Sequence, residues 1–316
     1  MPESPEDASG SDFDEESQRL LQAMTNSWLM RNPEQLEAAA ADLMKAAANH
    51  ADVNPSPDAL LEEDLEMRAR AGEWEEILAL REQLIERCRE RGEAHHVFRH
   101  EREVATLLQH LGRPEEALLH AGRATAAARQ TEGMPVLVGL ARMVESVCAM
   151  QCKQLQLALK CVDDALVAIG MAEYAQLVRG GALVGRAHCL LSMDELAAAE
   201  SDLRAAAVCL RIHAEAADLP GVQSRRAAWY EAQARLCGKK GEYSSAVEWM
   251  ARVIEIRQNM VGHQFGGRFH ALTALAGSYR QLAQACDDAG KPAEAASMRQ
   301  RGVQLLKELK LPIPPD

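Results

Sequence analysis

Aromatic residues and excess basic charge are both missing from this sequence of 316 residues. Phe, Trp and Tyr make up only 4% of the chain, and no stretch alternates apolar and polar residues, so a β-sandwich or barrel is not expected. The formal net charge is −12, which argues against a nucleic-acid partner, because phosphate contacts need a basic surface. The chain has no run of 18 apolar residues, so the sequence predicts no membrane span.

The sequence also lacks the motifs that carry common chemistries. It contains no phosphate loop, dinucleotide fingerprint or nucleophile elbow, so we expect no cofactor and no enzymatic activity. Most of the eight Cys residues fall within apolar helical stripes, a pattern typical of small buried side chains rather than of disulfides. The acidic N-terminus does not resemble a secretory signal, and the expected compartment is the cytoplasm.

Three segments are expected along the chain. Residues 1–16 are too polar to bury and predict a disordered acidic tail. Residues 17–310 show no break in composition and predict a single helical domain. Residues 311–316 predict a short extended end.

What the chain does contain is shown best by residues 104–128, which predict two amphipathic helices joined by a tight turn. Val104, Leu108 and Leu111 form one apolar stripe at helical spacing. Gly112 ends the first helix, because Gly takes the left-handed conformation without a Cβ penalty, and Pro114 begins the second. Neither helix can bury its stripe alone, so the pair needs neighbours of the same kind.

The same hairpin recurs along the chain at a nearly constant interval. The positions that match Ala117 are Leu36, Ile77, Ala158, Ala199, Ala246 and Ala295. The successive intervals are 41, 40, 41, 41, 47 and 49 residues. Leu36 and Ile77 put large residues at the anchor position. The turns before Ala158 and Ala199 lack Gly, which leaves the register of those two copies open by one residue.

A Gly, a polar run and an Ala between two helices resemble the tetratricopeptide repeat (TPR), whose period is 34 residues. The longer period here resembles the long-helix subclass found in kinesin light chain, in bacterial transcriptional activators and in response-regulator phosphatases. The resemblance covers residues 17–310 and implies an all-α, right-handed superhelical solenoid of about seven antiparallel helix pairs. It implies little about function, because this fold hosts many unrelated roles.

The repeats predict seven helix pairs between the Gly and Pro turns. Their ranges are 17–30 with 33–50, 59–71 with 73–91, 94–111 with 114–130, 137–151 with 155–169, 175–191 with 195–214, 222–237 with 243–260, and 269–289 with 292–310.

In TPR proteins the first helix of each pair lines a concave groove, and the resemblance carries this role to fixed positions before each anchor residue. The candidate groove residues are Arg99, Arg102, Leu140, Met143, Val147, Met150, Val184, His188, Leu191, Arg235 and Arg280. Their centre is apolar and contains Met, and Arg flanks it. Such a surface suits an amphipathic helix with acidic flanks, because Met adapts to irregular partners. The alternative is that the long helices close the groove and these residues are core.

Asn side chains are too few for a common TPR binding mode. Many TPR proteins hold an extended peptide through Asn, or a C-terminal carboxylate through a Lys/Asn clamp. None of the five Asn residues falls on a central groove helix, so we do not expect a chaperone-tail receptor.

One cluster has the spacing of a metal site. His96, His100 and Glu103 lie at i, i+4 and i+7, on one helix face, which could hold a transition metal. The second His that a zinc-protease motif requires is missing, so the prediction is no metal, with a solvated or groove-facing His cluster instead.

The sequence therefore predicts a non-catalytic scaffold that binds a protein or peptide in its concave groove. The alternative is a ligand- or peptide-responsive regulatory sensor module of a signalling or transcription system, with the Gly-rich residues 261–268 as its hinge. An enzyme such as a phosphatase built on the same scaffold is a third interpretation. The partner's identity, the pathway and the oligomeric state do not follow from the sequence.

Overall fold

The computed structural model of the chain describes residues 61, 64, 65, 67–69, 71–131, 133–171, 175–212, 220–262 and 268–313. The chain divides into two units, residues 1–63 and 64–316, and all that follows concerns the second. The predicted acidic tail and the first predicted helix pair lie outside the described residues. So do residues 314–316 and most of the predicted hinge.

All regular secondary structure in the described ranges is helical. Helical residues between 64 and 71 precede eleven helices with complete bounds. These are α1 (Trp74–Glu90), α2 (Ala94–His110), α3 (Pro114–Gln130), α4 (Pro135–Gln151), α5 (Leu155–Ile169), α6 (Gln176–Ser192), α7 (Leu196–Leu210), α8 (Pro220–Lys239), α9 (Tyr243–Gly262), α10 (Arg268–Asp288) and α11 (Pro292–Glu308). The predicted helices from 73–91 onward are confirmed, with ends that differ by a few residues at most.

Consecutive helices pack as pairs: α2 with α3, α4 with α5, α6 with α7, α8 with α9, and α10 with α11. The pairs then stack through the second helix of one and the first helix of the next, as α3 does on α4 and α9 on α10. The first helices α2, α4, α6 and α8 also contact one another in order. Pairs that follow one another in the sequence are therefore also neighbours in space, as expected of a repeat fold.

The anchor residues explain how closely the helices of a pair approach. Each anchor is the fourth residue of a second helix, and each is buried. In the described residues these anchors are Ile77, Ala117, Ala158, Ala199, Ala246 and Ala295. Five of the six are Ala, which leaves room for the facing helix, and Ile77 is buried despite its size.

The turn five residues before each anchor settles the register that the sequence left open. Gly112 takes a φ of 75° there, and Lys153 and Asp194 take the same left-handed conformation with φ of 59° and 61°. The amide that follows donates to the carbonyl five residues back, as Gln154 does to Ala149 at 2.8 Å. This bond closes the helix end and holds the strained residue in place. All described copies therefore share one register.

Buried charge links successive pairs through the core. Glu101 on α2 is fully buried, and it accepts hydrogen bonds from Arg89 on α1 at 2.5 Å and from His120 on α3 at 2.7 Å. A buried carboxylate needs such partners, because an unpaired one costs several kcal/mol. Glu101 therefore ties three consecutive helices together.

The Cys residues behave as small apolar side chains. Six of the eight are buried and two are half-buried, and all eight are free thiols. Burial raises the pKa of Cys148 to about 11 and also raises that of Cys161 to about 11, so both stay protonated. Within the described residues, no helix combines the length and the apolar character needed to cross a bilayer.

Candidate functional site

The first helices α4, α6 and α8 form one continuous surface on the side turned away from the second helices. On α4, Arg142 donates to Asp164 of α5 and Glu145 accepts from Thr125 of α3, so this side of α4 faces the second helices. Val147 lies on the opposite side and is 40% exposed. We call the surface around it the central patch. It consists of Leu140, Met143, Val147, Gly181, His188, Arg225 and Arg235.

Gly181 on α6 lies between a side chain of α4 and a side chain of α8. A Cβ atom added there would lie 3.3 Å from Cε of Met143 on α4 and 3.4 Å from Nε of Arg225 on α8. The missing side chain therefore makes a notch in α6 that is filled from one side by a thioether and from the other by a guanidinium. Both Met143 and Arg225 are half-buried.

Arg225 is held by its own helix. Its Nη1 donates a 2.8 Å hydrogen bond to the carbonyl of Gly221, one turn earlier. Among the described residues no carboxylate forms an ion pair with it, and burial alone lowers its pKa. The guanidinium remains charged, so its remaining donors are available in a partly dehydrated notch.

Two further polar groups follow along the seam between α6 and α8. His188 lies against the backbone carbonyl of Ala228, and burial lowers its pKa although the carboxylate of Glu231 opposes the effect. Arg235 is exposed and donates to Oγ of Ser192 at 2.9 Å. The polar part of the patch thus runs from Arg225 past His188 to Arg235.

The apolar candidates divide between surface and core. Leu140, Met143 and Met150 are half-buried and pack against the core cluster of α4 to α8, and Val147 is exposed. Val184 and Leu191 are 2% and 0% exposed and belong to that core. The structure corrects the prediction that these two side chains line an open groove. Helix α6 lies between α4 and α8, and this packing covers both side chains.

The remaining Arg candidates lie outside the central patch. Arg102 on α2 places its guanidinium 5.6 Å from the centre of the Phe98 ring, and Arg99 lies beside His100 with 3.4 Å between Nη2 and Nε2. Arg280 is exposed on α10. These side chains do not form one cation cluster with Arg225.

Two of the three candidate metal ligands contact the same arginine, Arg81. His100 is buried and its Nδ1 lies 2.8 Å from Nη1 of Arg81, and the other Nη of Arg81 pairs with Glu103 at 2.5 Å. His96 is exposed and its ring contacts that of His95. Arg81 therefore lies between two of the three residues. Within the described part of the chain, no group of three or more His, Cys, Asp or Glu side chains is placed to hold a metal ion.

Arg225 is not among the residues predicted from the sequence. The carried-over groove positions selected Arg235 on this helix, and the helix was predicted to begin at 222. It begins at Pro220, and Arg225 in its second turn lies beside Gly181. The long interval of 47 residues before Ala246 was the only signal of a longer first helix.

A second apolar surface lies on the opposite side of the pairs. Val167 on α5 and Val208 on α7 occupy equivalent positions, nine residues after Ala158 and Ala199, and are 82% and 78% exposed. They are more exposed than Val147. Val167 and Val208 on the second helices therefore serve as a control surface when binding to the central patch is tested.

Residues from the two ends of this unit meet in what we call the closure contact, formed by Ala71, Trp74, His110, Phe269, Thr273, Leu309 and Lys310. The rings of Trp74 and Phe269 lie 4.5 Å apart, and Nζ of Lys310 donates to the carbonyl of Ala71 at 2.6 Å. The series of helices thus returns to its start.

Comparison with protein-family models and with curated protein sequences found no match. Solved structures are similar to this chain over most of their length. BtubC (BKLC) from P. vanneervenii is 16% identical, and the match covers 77% of this chain and 94% of that one with a TM-score of 0.52. The apo form of RapI is 10% identical, with 93% and 99% covered and a TM-score of 0.53. Together with the recurring helix pairs, these likenesses show that the chain has the fold of the TPR-like helical-repeat proteins.

Proposed function

We propose that this chain is a non-catalytic scaffold that binds a segment of a partner protein, or a peptide, on the central patch. The observation that carries the proposal is the juxtaposition at Gly181 of half-buried Met143, one turn before exposed Val147, with Arg225, a cation without a carboxylate partner among the described residues. Apolar and cationic groups side by side suit an amphipathic partner with acidic flanks. Full burial of one Leu or Met side chain contributes about 1.5–3 kcal/mol, so a few anchors give useful affinity.

The polar groups near the patch support binding rather than catalysis. His188 is engaged with the carbonyl of Ala228. The carboxylate of Glu231 is paired with Arg257 at 2.6 Å and also accepts from Gln281. Such fixed partners hold a surface in shape, and a pre-formed surface lowers the cost of ordering on binding.

Site-specific photo-crosslinking tests the proposal. A benzophenone amino acid replaces Val147 in one variant and Val167 in the other, which gives matched probes on the two faces of the pairs. We expect a covalent adduct with the partner from position 147 and none from position 167. Adducts from position 167 alone would place the binding surface on the second helices and contradict the proposal.

The closure contact favours a second candidate function, the regulatory sensor. A contact between residues so distant in sequence can exist in closed and open forms, and a ligand that binds one form better shifts the balance. The predicted hinge at 261–268 falls mostly outside the described residues, although α10 begins at its end. Small-angle scattering with and without the bound partner distinguishes the two functions, because a sensor changes its radius of gyration and a rigid scaffold does not.

A further inference from the structure

We infer that Arg225 binds a carboxylate of the partner, supplied by an Asp or Glu side chain of an acidic protein segment. The inference rests on the proposed function and names the chemistry of the partner at the central patch. It follows from a comparison of Arg225 with the other half-buried arginines, from the geometry of its notch, and from the spacing of the next cation on α8.

Three other half-buried arginines between these helices are paired with acids of the chain itself, whereas Arg179 on α6 donates to the Gly170 carbonyl at 3.0 Å. Nε and Nη2 of Arg186 donate to the two carboxylate oxygens of Asp202, each at 2.7 Å. Arg142 donates to Asp164 at 2.8 Å and to Glu145 at 2.9 Å. Arg257 pairs with Glu231. A chain with 47 acidic residues thus neutralises these guanidinium groups internally.

Arg225 does not belong to the paired group, and unlike Arg179 it lies beside a notch lined by Met143. Its one hydrogen bond goes to the Gly221 carbonyl, a neutral acceptor, and no carboxylate pairs with it in the described part of the chain. Removing a cation from water without an anion costs free energy, so such a residue lowers the stability of the free protein. An external carboxylate would supply the missing partner.

The notch fixes the direction in which the guanidinium is presented. Met143 and the backbone at Gly181 confine Nε and Cδ of Arg225, and the side chain is still partly exposed. A confined guanidinium binds a carboxylate through two parallel hydrogen bonds with little further loss of side-chain freedom. The thioether of Met143 is placed to contact the methylene groups of the same Asp or Glu side chain.

The position of Arg235 predicts the spacing of the acidic residues. It follows Arg225 by ten residues on α8, which corresponds to about 15 Å along the helix at 1.5 Å per residue. A partner that runs along this seam as a helix would present acids about ten residues apart, and an extended partner about four to five apart. Because the whole chain is acidic, this recognition depends on short-range pairing rather than on long-range attraction.

Peptide selection tests the inference with a defined probe. Random peptides of about twelve residues, displayed on phage, are selected against the full chain, against Arg225→Glu and against Arg204→Glu. Arg204 is exposed on α7, so its reversal is the matched control for net charge. We expect Asp or Glu to be enriched with the wild type and with Arg204→Glu, and Lys or Arg to replace them with Arg225→Glu. The best wild-type peptide should lose at least about tenfold in affinity for Arg225→Glu.

A Val147→Glu variant separates failure of the inference from failure of the proposed function. Peptides that lose binding to Val147→Glu, but carry no enriched acid or bind Arg225→Glu unchanged, overturn the carboxylate site and leave the scaffold proposal standing. Peptides indifferent to both Val147→Glu and Arg225→Glu, or no selected peptides, overturn both.

Stability provides a test that needs no partner. Arg225→Met should raise the urea midpoint of unfolding, because it removes a dehydrated and unpaired charge, whereas Arg186→Met should lower it, because it leaves Asp202 unpaired. A fall for Arg225→Met as large as that for Arg186→Met would show a structural role and overturn the inference.

Discussion

The indole Nε1 of Trp74 donates a 3.1 Å hydrogen bond to the backbone carbonyl of Leu309, 235 residues later in the chain. Repeat proteins of this kind are held mainly by contacts between neighbouring units, so their ends are usually free to fray. Here the first and last helices with complete bounds support each other. The closure contact therefore couples the end pairs to one another as well as to their neighbours.

Replacing Trp74 tests this coupling. Trp74→Ala removes both the hydrogen bond and the ring packed on Phe269, and we expect faster amide hydrogen exchange at the start of α10 and after α11. Trp74→Phe keeps an aromatic ring and should have a smaller effect. Exchange in α6 serves as the internal reference. Equal exchange at α10 in all three proteins would show that the contact contributes nothing to local stability.

The closure contact should weaken in acid. Burial, and secondarily His270, lower the pKa of His110 from 6.5 to about 4, and burial lowers that of His270, which faces Glu103, Arg102 and Arg81. The folded state therefore favours neutral His110, and the unfolded state takes up a proton first as the pH falls. The stabilisation is complete above pH 6.5 and is lost progressively between pH 6.5 and 4.

Urea unfolding between pH 7 and pH 5 measures this effect. Over this pH range the loss of stability due to His110 is at most about 2 kcal/mol, and less in proportion to its partial exposure. His110→Phe keeps an aromatic ring against Phe269 but cannot titrate, so its stability should depend less steeply on pH. An unchanged slope in this variant would rule out His110 as a source of the acid sensitivity.

The repeat could be predicted from the sequence because the residues that define it lie close together within each helix pair. Each buried Ala anchor must be small where two helices cross, and this need recurs at a fixed interval. Lys153 and Asp194 gave no such signal, because hydrogen bonds of the turn hold these residues in the left-handed region where Gly was expected. The repeat was found despite them because the anchors kept its period.

The candidate site was predicted less well because the exposure of a side chain depends on helices that are distant in the sequence. The burial of Val184 and Leu191 depends on helices that pack on both sides of α6. The role of Arg225 depends on the packing of α8 against α6, and the partner of Trp74 lies at the other end of the unit. No pattern within a single repeat records these contacts.

Glu101 should be important for stability. Glu101→Ala leaves Arg89 and His120 without their buried acceptor and should cost about 3–5 kcal/mol in the free energy of urea unfolding. Glu116→Ala is the matched control, because it removes only an exposed pair with Arg113 and should change the free energy of unfolding far less. Similar losses for the two variants would contradict the structural role given to Glu101.

Two helical glycines should respond in opposite ways to substitution by Ala. A Cβ at Gly139 would lie 2.4 Å from Cγ1 of Ile169, whereas nothing lies within 4 Å of a Cβ at Gly122. Gly139→Ala should lower stability by about 1–3 kcal/mol through overpacking, and Gly122→Ala should raise it by about 0.5–1 kcal/mol through helix propensity.

Adding Ile169→Val to Gly139→Ala should recover part of the loss, because the smaller side chain makes room. Thermal unfolding of the four proteins measures all these changes. A stabilising Gly139→Ala would contradict the close crossing of α4 and α5.

The central claim is that partners bind on the first helices α4, α6 and α8. Hydrogen exchange measured by mass spectrometry, with and without a bound peptide or partner protein, tests it most directly. We predict slower exchange in residues 140–151, 177–192 and 221–235, with α5 and α7 unchanged. Protection confined to α5 and α7, around Val167 and Val208, would contradict the claim.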